Sequence, residues 1–440
     1  MIIESIKESL EQIKKQGLSG DVYGIVSRRI GYTIEKNEIS DISEYEEVGL
    51  GIRVKTGKKI GFAYGVPGME EKAVRKAKEL ANFQEDIEID FPETKDNPKV
   101  KTFDERINEA MVQDKGLEMA LELLEGVDEG VMATEGKVVL YTGSRYIGNT
   151  AGTFLEDKGT GAVCYMSASI KVGDRALNAY EHACSTRMDI DYHEVGKKAS
   201  EKVKSMKDRS ELKTGKYDIV LSPTALSQIM CFALFPSFSG EKVRKGSSVF
   251  KGKLGERVAS EGLNIVDDPT HDWGVGSRRF DDEGIPSSPL KLVDQGVLKN
   301  FMYDLKEAEK SDTKTTGNAI RINFKTPPII GESNLRLLGK TRRTEDLMKD
   351  ARIYVDDVMG AHTANPSSGD FSVVLNPAWV MDNGEKKGRL DGVLISGNIH
   401  EMIKDMEIGT DSVDTYLNIG KAFVMNLPSA YLPSISVSSG

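Results

Sequence analysis

The side chains that could do hydrolytic or metal chemistry in this 440-residue chain are five histidines, three cysteines and a few paired carboxylates. His193-Glu194 and His400-Glu401 begin like a zinc signature. In that signature two histidines one helical turn apart share an ion, and the glutamate activates water. Four residues on from each His stand Lys197 and Lys404, and five on stand Lys198 and Asp405, so neither pair completes H-E-x-x-H or H-E-x-x-x-H. The doublets Asp267-Asp268 and Asp281-Asp282 could hold a hard cation, but no calcium-loop spacing surrounds them, and they read as solvated turn carboxylates. Cys184 stands two residues from His182, a candidate thiol–imidazole pair, although a structural thiol is the simpler reading. Cys231 lies in an apolar helical run, where a buried, inert thiol is expected. The five histidines read as surface or capping residues. No G-x-S-x-G or G-x-G-x-x-G occurs, and Gly240 to Gly246 has one residue too many for a P-loop, with no Lys after the second glycine. These residues name no catalytic centre, and none is assigned.

The bulk numbers narrow the partners. A formal net charge of −10 repels phosphate backbones and anionic lipid, so neither nucleic acid nor membrane is an expected partner. The 59 Lys and Arg still leave room for a local basic patch. The first residues mix acids and bases and lack a cationic region followed by an apolar one, so no export signal is expected. The densest apolar run, Ile229 to Pro236, is too short to span a bilayer. Three cysteines without a C-x-x-C pair make neither a disulfide framework nor a zinc ribbon, and the cytoplasm is the expected compartment.

The elements that would carry any site form an α+β pattern. Ile3, Ile6, Leu10 and Ile13 give a helical stripe that stops near Gly17. Residues 21–64 alternate as an antiparallel meander with turns at Lys36-Asn37 and Gly57-Lys58. A helix is expected over 70–83, a loop over 84–102, a helical region over 103–125, strands over 130–171 and an amphipathic helix over 192–206. Charged, turn-rich residues 207–216 suggest a boundary, giving an N-terminal α+β domain over 1–210 and a mostly β domain over 211–440. Ser222-Pro223 caps a helix expected to run to Pro236.

Several short segments then occur in a telling order: Arg244 to Glu256 (RKGSSVFKGKLGE), Asn264 to Asp268, Phe280 to Pro286 (FDDEGIP), Asp294 to Lys299, Tyr303-Asp304, Thr316 to Ala319 with Arg321, Ser368 to Ser372, and Ile395 to Asn398. In this order and spacing they resemble the TldD/PmbA family, and the N-terminal helix–meander–helix resembles that family's first domain. The resemblance implies a two-part α+β fold. It also implies two branches: TldD-type metallopeptidases with H-E-x-x-x-H before the R-K-G-S-S segment and a C-terminal cysteine ligand, and TldE/PmbA-type chains that lack both. Counted back from Arg244, the motif positions carry Cys231, Phe232 and Pro236, and no cysteine follows Cys231. The chain therefore resembles the TldE/PmbA branch, with no cofactor of its own and zinc expected in a TldD-type partner. The implied assembly is a heterodimer with that partner or a homodimer, and the implied substrate is a linear or unfolded peptide. Gly317-Asn318 reads first as turn chemistry. With Gly369, Asp370, Phe371 and Ser372 it forms the candidate peptide-contacting set that the resemblance suggests. A stand-alone peptide- or ligand-binding homodimer, and an enzyme using Cys184 with His182 or an ion at the acidic doublets, remain as alternatives.

Overall fold

A computed structural model describes residues 1–418 and 422–439. The first half is built on one six-stranded antiparallel sheet. Its strands are β1 (Ser19–Glu35), β2 (Glu38–Thr56), β3 (Lys59–Gly65), β4 (Met132–Asn149), β5 (Phe154–Val172) and β6 (Arg175–Ser185), in the order β3-β2-β1-β4-β5-β6. The β1–β2 turn forms where expected, because Lys36 and Asn37 both take positive φ (51° and 68°), which matches the twist of a two-residue hairpin. Helix α1 (Ile2–Lys15) buries Ile2, Ile6, Leu10 and Ile13. They pack with Leu50 and Ile52 of β2 and with Ala73, Val74 and Ala77 of α2 (Glu70–Ala81).

The helical region expected over 103–125 is two helices, α3 (Glu105–Val112) and α4 (Gly116–Glu125), broken at Asp114 with φ 55°. With α5 (Tyr192–Lys204) they cover a second core containing Tyr32, Leu123, Leu140, Met166 and Val203. Trp379 and Met381 of the second half are part of this core, so the halves share apolar burial.

Past β7 (Gly215–Leu221) comes the helix that matters for the family comparison. It opens as expected: the Ser222 hydroxyl accepts from the Ala225 N–H at 3.1 Å, and Pro223 occupies the first turn. It does not continue regularly to Pro236. It is α-helical over Pro223–Ile229, π-helical over Met230–Leu234 and 3₁₀ over Phe235–Phe238. Pro236 explains the change. It has no N–H to give and its ring crowds the carbonyl four residues back, so the turn before it widens and Phe235 N–H donates to the Met230 carbonyl, five back.

The remainder is mostly β. A nine-stranded sheet runs through strands 358–359, 370–375, 393–398, 430–439, 215–221, 353–355, 378–382 and 385–389, with 407–408 beside 430–439. A six-stranded sheet combines 264–267, 290–294, 297–298, 334–338, 413–418 and 422–427.

The halves are also joined through buried charge, which corrects the expectation for the acidic doublets. Asp267, Asp281 and Asp282 are not solvated: they are 1%, 0% and 5% exposed. Arg53 of β2 donates to Asp21 of β1 and to Glu283. Arg145 of β4 donates to Asp282 Oδ1 (2.8 Å) and Asp157 Oδ2 (2.9 Å). Backbone N–H groups of Glu283, Ile285 and Ala319 reach Asp281, and that of Arg321 reaches Asp282. Carboxylates with such partners can stay buried.

Candidate functional site

The three positions that the resemblance aligns with a zinc motif lie on the irregular helix. Cys231 is buried, Phe232 and Pro236 are half-buried, and the Phe232 ring lies edge-on to His362 with centroids 6.5 Å apart. The π-helical turn packs against helix Ile399–Met402 and the short helix Ala361–Thr363, and the latter packs against strand Asp370–Leu375. One neighbourhood thus contains Cys231, Phe232, His362, His400 and the Gly369–Ser372 segment. Among the described residues, no group of three or more His, Cys, Asp or Glu is arranged to hold a metal ion.

His400 is the centre of this neighbourhood, and the expectation of a surface or capping histidine fails for it: it is 5% exposed. Its ring stands edge-on to Phe250 at 5.0 Å, and Nε2 lies 3.4 Å from the buried Ser237 hydroxyl. Nδ1 has no partner among the described residues. Burial, with Lys253 nearby, pulls its pKa down to about 4, so the ring is neutral at pH 7. Gly369 makes room for it. With φ +81°, an added Cβ there would fall 2.3 Å from His400 Cδ2. Nothing at the sequence level ties Gly369 to a histidine so far along the chain; the link arises only because strand 370–375 pairs with strand 393–398.

The other candidates of that segment point different ways. Asp370 is exposed, and hydrogen bonds from Ser368 and Asn398 hold its carboxyl below the usual range. Phe371 is buried in the main core of the second half, and Ser372 faces outward. Gly317 and Asn318 sit elsewhere, in the charged seam. Gly317 has φ +73°, and the buried Asn318 amide donates to Asp267 Oδ2 (2.7 Å) and to the Gly331 carbonyl (3.2 Å). Its polar capacity is spent inside the protein.

Cys184 and His182 share one face of β6 but do not form an activated pair. The Cys184 thiol donates to the Asp414 carbonyl at 3.8 Å, and burial, helped by Asp414, pushes it up to about 12. Burial also lowers the His182 pKa, and its Nδ1 lacks a partner among the described residues. The nearby charges are used structurally: Lys202 pairs with Glu181 (2.9 Å) and Asp356 (2.7 Å). Cys164 is likewise pushed up to about 12 by burial. At pH 8, Cys164 and Cys184 of the native chain should react with iodoacetamide roughly a hundredfold more slowly than after denaturation, since the thiolate is the nucleophile. Fast native labelling of Cys184 would revive it as a nucleophile.

The seam carries a pH signature. Burial first, and Glu283 second, raise Asp281 and Asp304 to about 7. A carboxyl raised in the folded state binds a proton there that the unfolded chain does not, so its contribution is full below about 3.9 and is lost as pH rises towards 7. Asp304 also caps helix Leu305–Lys310 by accepting from Glu307 N–H, a role Asn can fill. Asp304→Asn should therefore flatten the fall in melting temperature between pH 5 and 8, being relatively more stable at pH 8. An unchanged slope would remove Asp304 as the titrating group.

Comparison with known proteins decides the family. Residues 214–439 match the PmbA/TldA metallopeptidase C-terminal domain, residues 101–207 its central domain and residues 20–81 its domain 1. The chain belongs to the PmbA/TldD family. It is 31% identical over 400 residues to an uncharacterized protein of Methanocaldococcus jannaschii, covering 89% of this chain and 91% of that one. It is 25% identical over 427 residues to the metalloprotease TldD homolog of Haemophilus influenzae, covering 91% and 87%. The crystal structure of TldE from Thermococcus kodakarensis superposes with a TM-score of 0.90 at 24% identity, covering 99% and 100% of the chains, which shows that this PmbA/TldD-family chain has the same α+β fold. Among the described residues no helix is long and apolar enough to cross a membrane.

Proposed function

We propose that this chain is the metal-free subunit of a TldD/TldE-type peptidase that processes linear or unfolded peptides, with zinc supplied by a TldD-type partner. The observation that carries the reading is the irregular helix, where Cys231, Phe232 and Pro236 stand at the positions that the resemblance assigns to the motif's His, Glu and His. A thiol, a phenyl ring and a proline cannot supply the two imidazoles that hold the ion or the carboxylate that activates water. The neutral, buried His400 and the strand beside it support reading this neighbourhood as a packed wall rather than a hydrolytic centre.

Sheet-edge chemistry fits a peptide as the load. β3 pairs only with Leu50–Thr56 of β2, so among the described residues β2 residues 38–49 have β1 on one side and an open edge on the other. Ile42 and Tyr45 on that stretch are 51% and 52% exposed. An extended chain can add there through main-chain hydrogen bonds, with little sequence selection. Affinity purification from the source cells should recover a similar-sized chain bearing H-E-x-x-x-H at equal stoichiometry. Recovery of the chain only with itself would favour the homodimeric binding protein.

A further inference from the structure

A cleft of about 420 Å³ lies on the seam between the first sheet and the second half; none of the candidate residues above lines it, although its Asp157 shares Arg145 with Asp282. Its size is that of ligand sites, roughly 300–1,000 Å³. In a chain of net charge −10, four cations line it, Lys99, Lys101, Lys158 and Arg279, against two carboxylates, Glu156 and Asp157. Among the described residues the Lys101 and Lys158 side chains have only surface pairings, with Asp272 (3.6 Å) and Glu156 (3.7 Å), which hold them weakly. The half-buried Arg279 guanidinium donates to the carbonyls of Pro98 (3.3 Å) and Glu156 (3.4 Å), and no side-chain carboxylate forms an ion pair with it among the described residues. A guanidinium in such a place ordinarily has an anion.

Trp273 forms another wall. Its φ is +66°, a conformation that bulky residues rarely adopt. It is pinned there, because its N–H donates to the Lys101 carbonyl and its carbonyl accepts from the Thr186 hydroxyl, both at 2.8 Å. Strain of this kind concentrates at ligand clamps. Asp157 lines the same cleft at 5% exposure, and its Oδ1 has no partner among the described residues. A second cleft of about 250 Å³ shares Phe103 with the first and is lined by Ser27, which is 4% exposed and whose hydroxyl has no partner among the described residues. An entering N–H or carbonyl would relieve the cost of leaving such groups unpaired.

We propose that this cleft binds an acidic segment of an extended peptide. Carboxylates lie on Lys99, Lys101, Lys158 and Arg279, and an apolar or aromatic side chain lies against Trp273 and Phe103. The proposal rests on the peptide-handling reading above and names the sequence preference that reading lacks. Calorimetric titration of the full chain, without any partner, tests it with a synthetic decapeptide of Glu, Phe and Gly. The acidic peptide should bind saturably. Its Glu→Gln counterpart should bind at least tenfold more weakly, and so should the acidic peptide to a Lys99→Glu/Lys158→Glu chain. Both lysines are exposed, so this variant keeps its fold. Amidating the peptide's C-terminus separates the two carboxylate sources: a tenfold loss assigns the terminal carboxylate, and no loss assigns the side chains. Equal binding of the Glu and Gln peptides, or unchanged binding by the charge-reversed chain, overturns the proposal. The zinc-bearing partner takes no part, so that result would leave the subunit reading standing or falling on its own test.

Discussion

Arg53→Met should lower stability by about 3–5 kcal/mol, because it leaves two carboxylates buried without their partner. Asp21 and Glu283 are 0% and 1% exposed, and both accept from the Arg53 guanidinium. Arg321 Nη2, buried and without a hydrogen-bond partner among the described residues, already lies 3.8 Å from Asp21 Oδ2 and offsets part of the loss there, whereas Glu283 has no second guanidinium among the described residues. The effect reads out as a lower urea midpoint, and adding Glu283→Gln should recover part of it by removing one stranded charge. The exposed Lys58–Glu88 pair, 3.0 Å long with side chains 62% and 61% exposed, is the control, with an expected cost of about 0–1 kcal/mol when broken. A loss below about 1 kcal/mol for Arg53→Met would mean that the seam charges are not what joins the halves.

Gly369→Ala should be the most damaging small substitution near the irregular helix. Two costs combine: about 1–2 kcal/mol for holding an L-residue in the left-handed region, and about 1–3 kcal/mol for forcing a methyl group into a packed site. The methyl would meet His400 at 2.3 Å, and that ring is backed by Phe250 and Ser237, so it has nowhere to retreat. Gly392→Ala separates the two costs, because Gly392 has φ +65° with nothing within 4 Å of an added Cβ. Only the conformational cost should appear there. The Gly369 variant should also reduce peptide cleavage by the assembled pair if the wall it disturbs faces the partner's zinc. Equal effects of the two substitutions would show that His400 is not wedged.

His400 adds an acid limit. Its folded pKa of about 4 lies below the ordinary 6.5, so the unfolded chain takes up a proton first, and stability falls as pH drops from about 6.5 to 4. Replacing His400 by Gln should weaken that acid dependence in thermal melts, and an unchanged dependence would place the titration elsewhere.

Much of the fold is legible in the sequence because it follows local rules. The α1 stripe, the Lys36-Asn37 turn and the Ser222 cap are each set by neighbours in sequence and form as read, except that the stripe begins with the buried Ile2 rather than with Ile3, which is half-buried. The differences arise mainly from distant partners. The stretch from Asp281 to Glu283 resembles a solvated turn because the arginines that neutralise it come from β2 and β4, far away in sequence. His400 resembles a surface residue because Phe250 and Gly369 enclose it only through tertiary packing. The helix to Pro236 reads as continuous, although the proline itself carries the signal that its last turns must widen. For the site, the occupants of the motif positions can be counted from Arg244, but their gathering with His362, His400 and the 369–372 segment cannot.

The most direct test of the central claim measures zinc content and peptide hydrolysis for the purified chain, for an H-E-x-x-x-H relative from the same cells, and for the equimolar pair. The expected result is a chain without stoichiometric zinc and without activity, and a pair whose cleavage of an unstructured peptide exceeds that of either component and stops on chelation. Cleavage by this chain alone, resistant to chelators, would contradict the account.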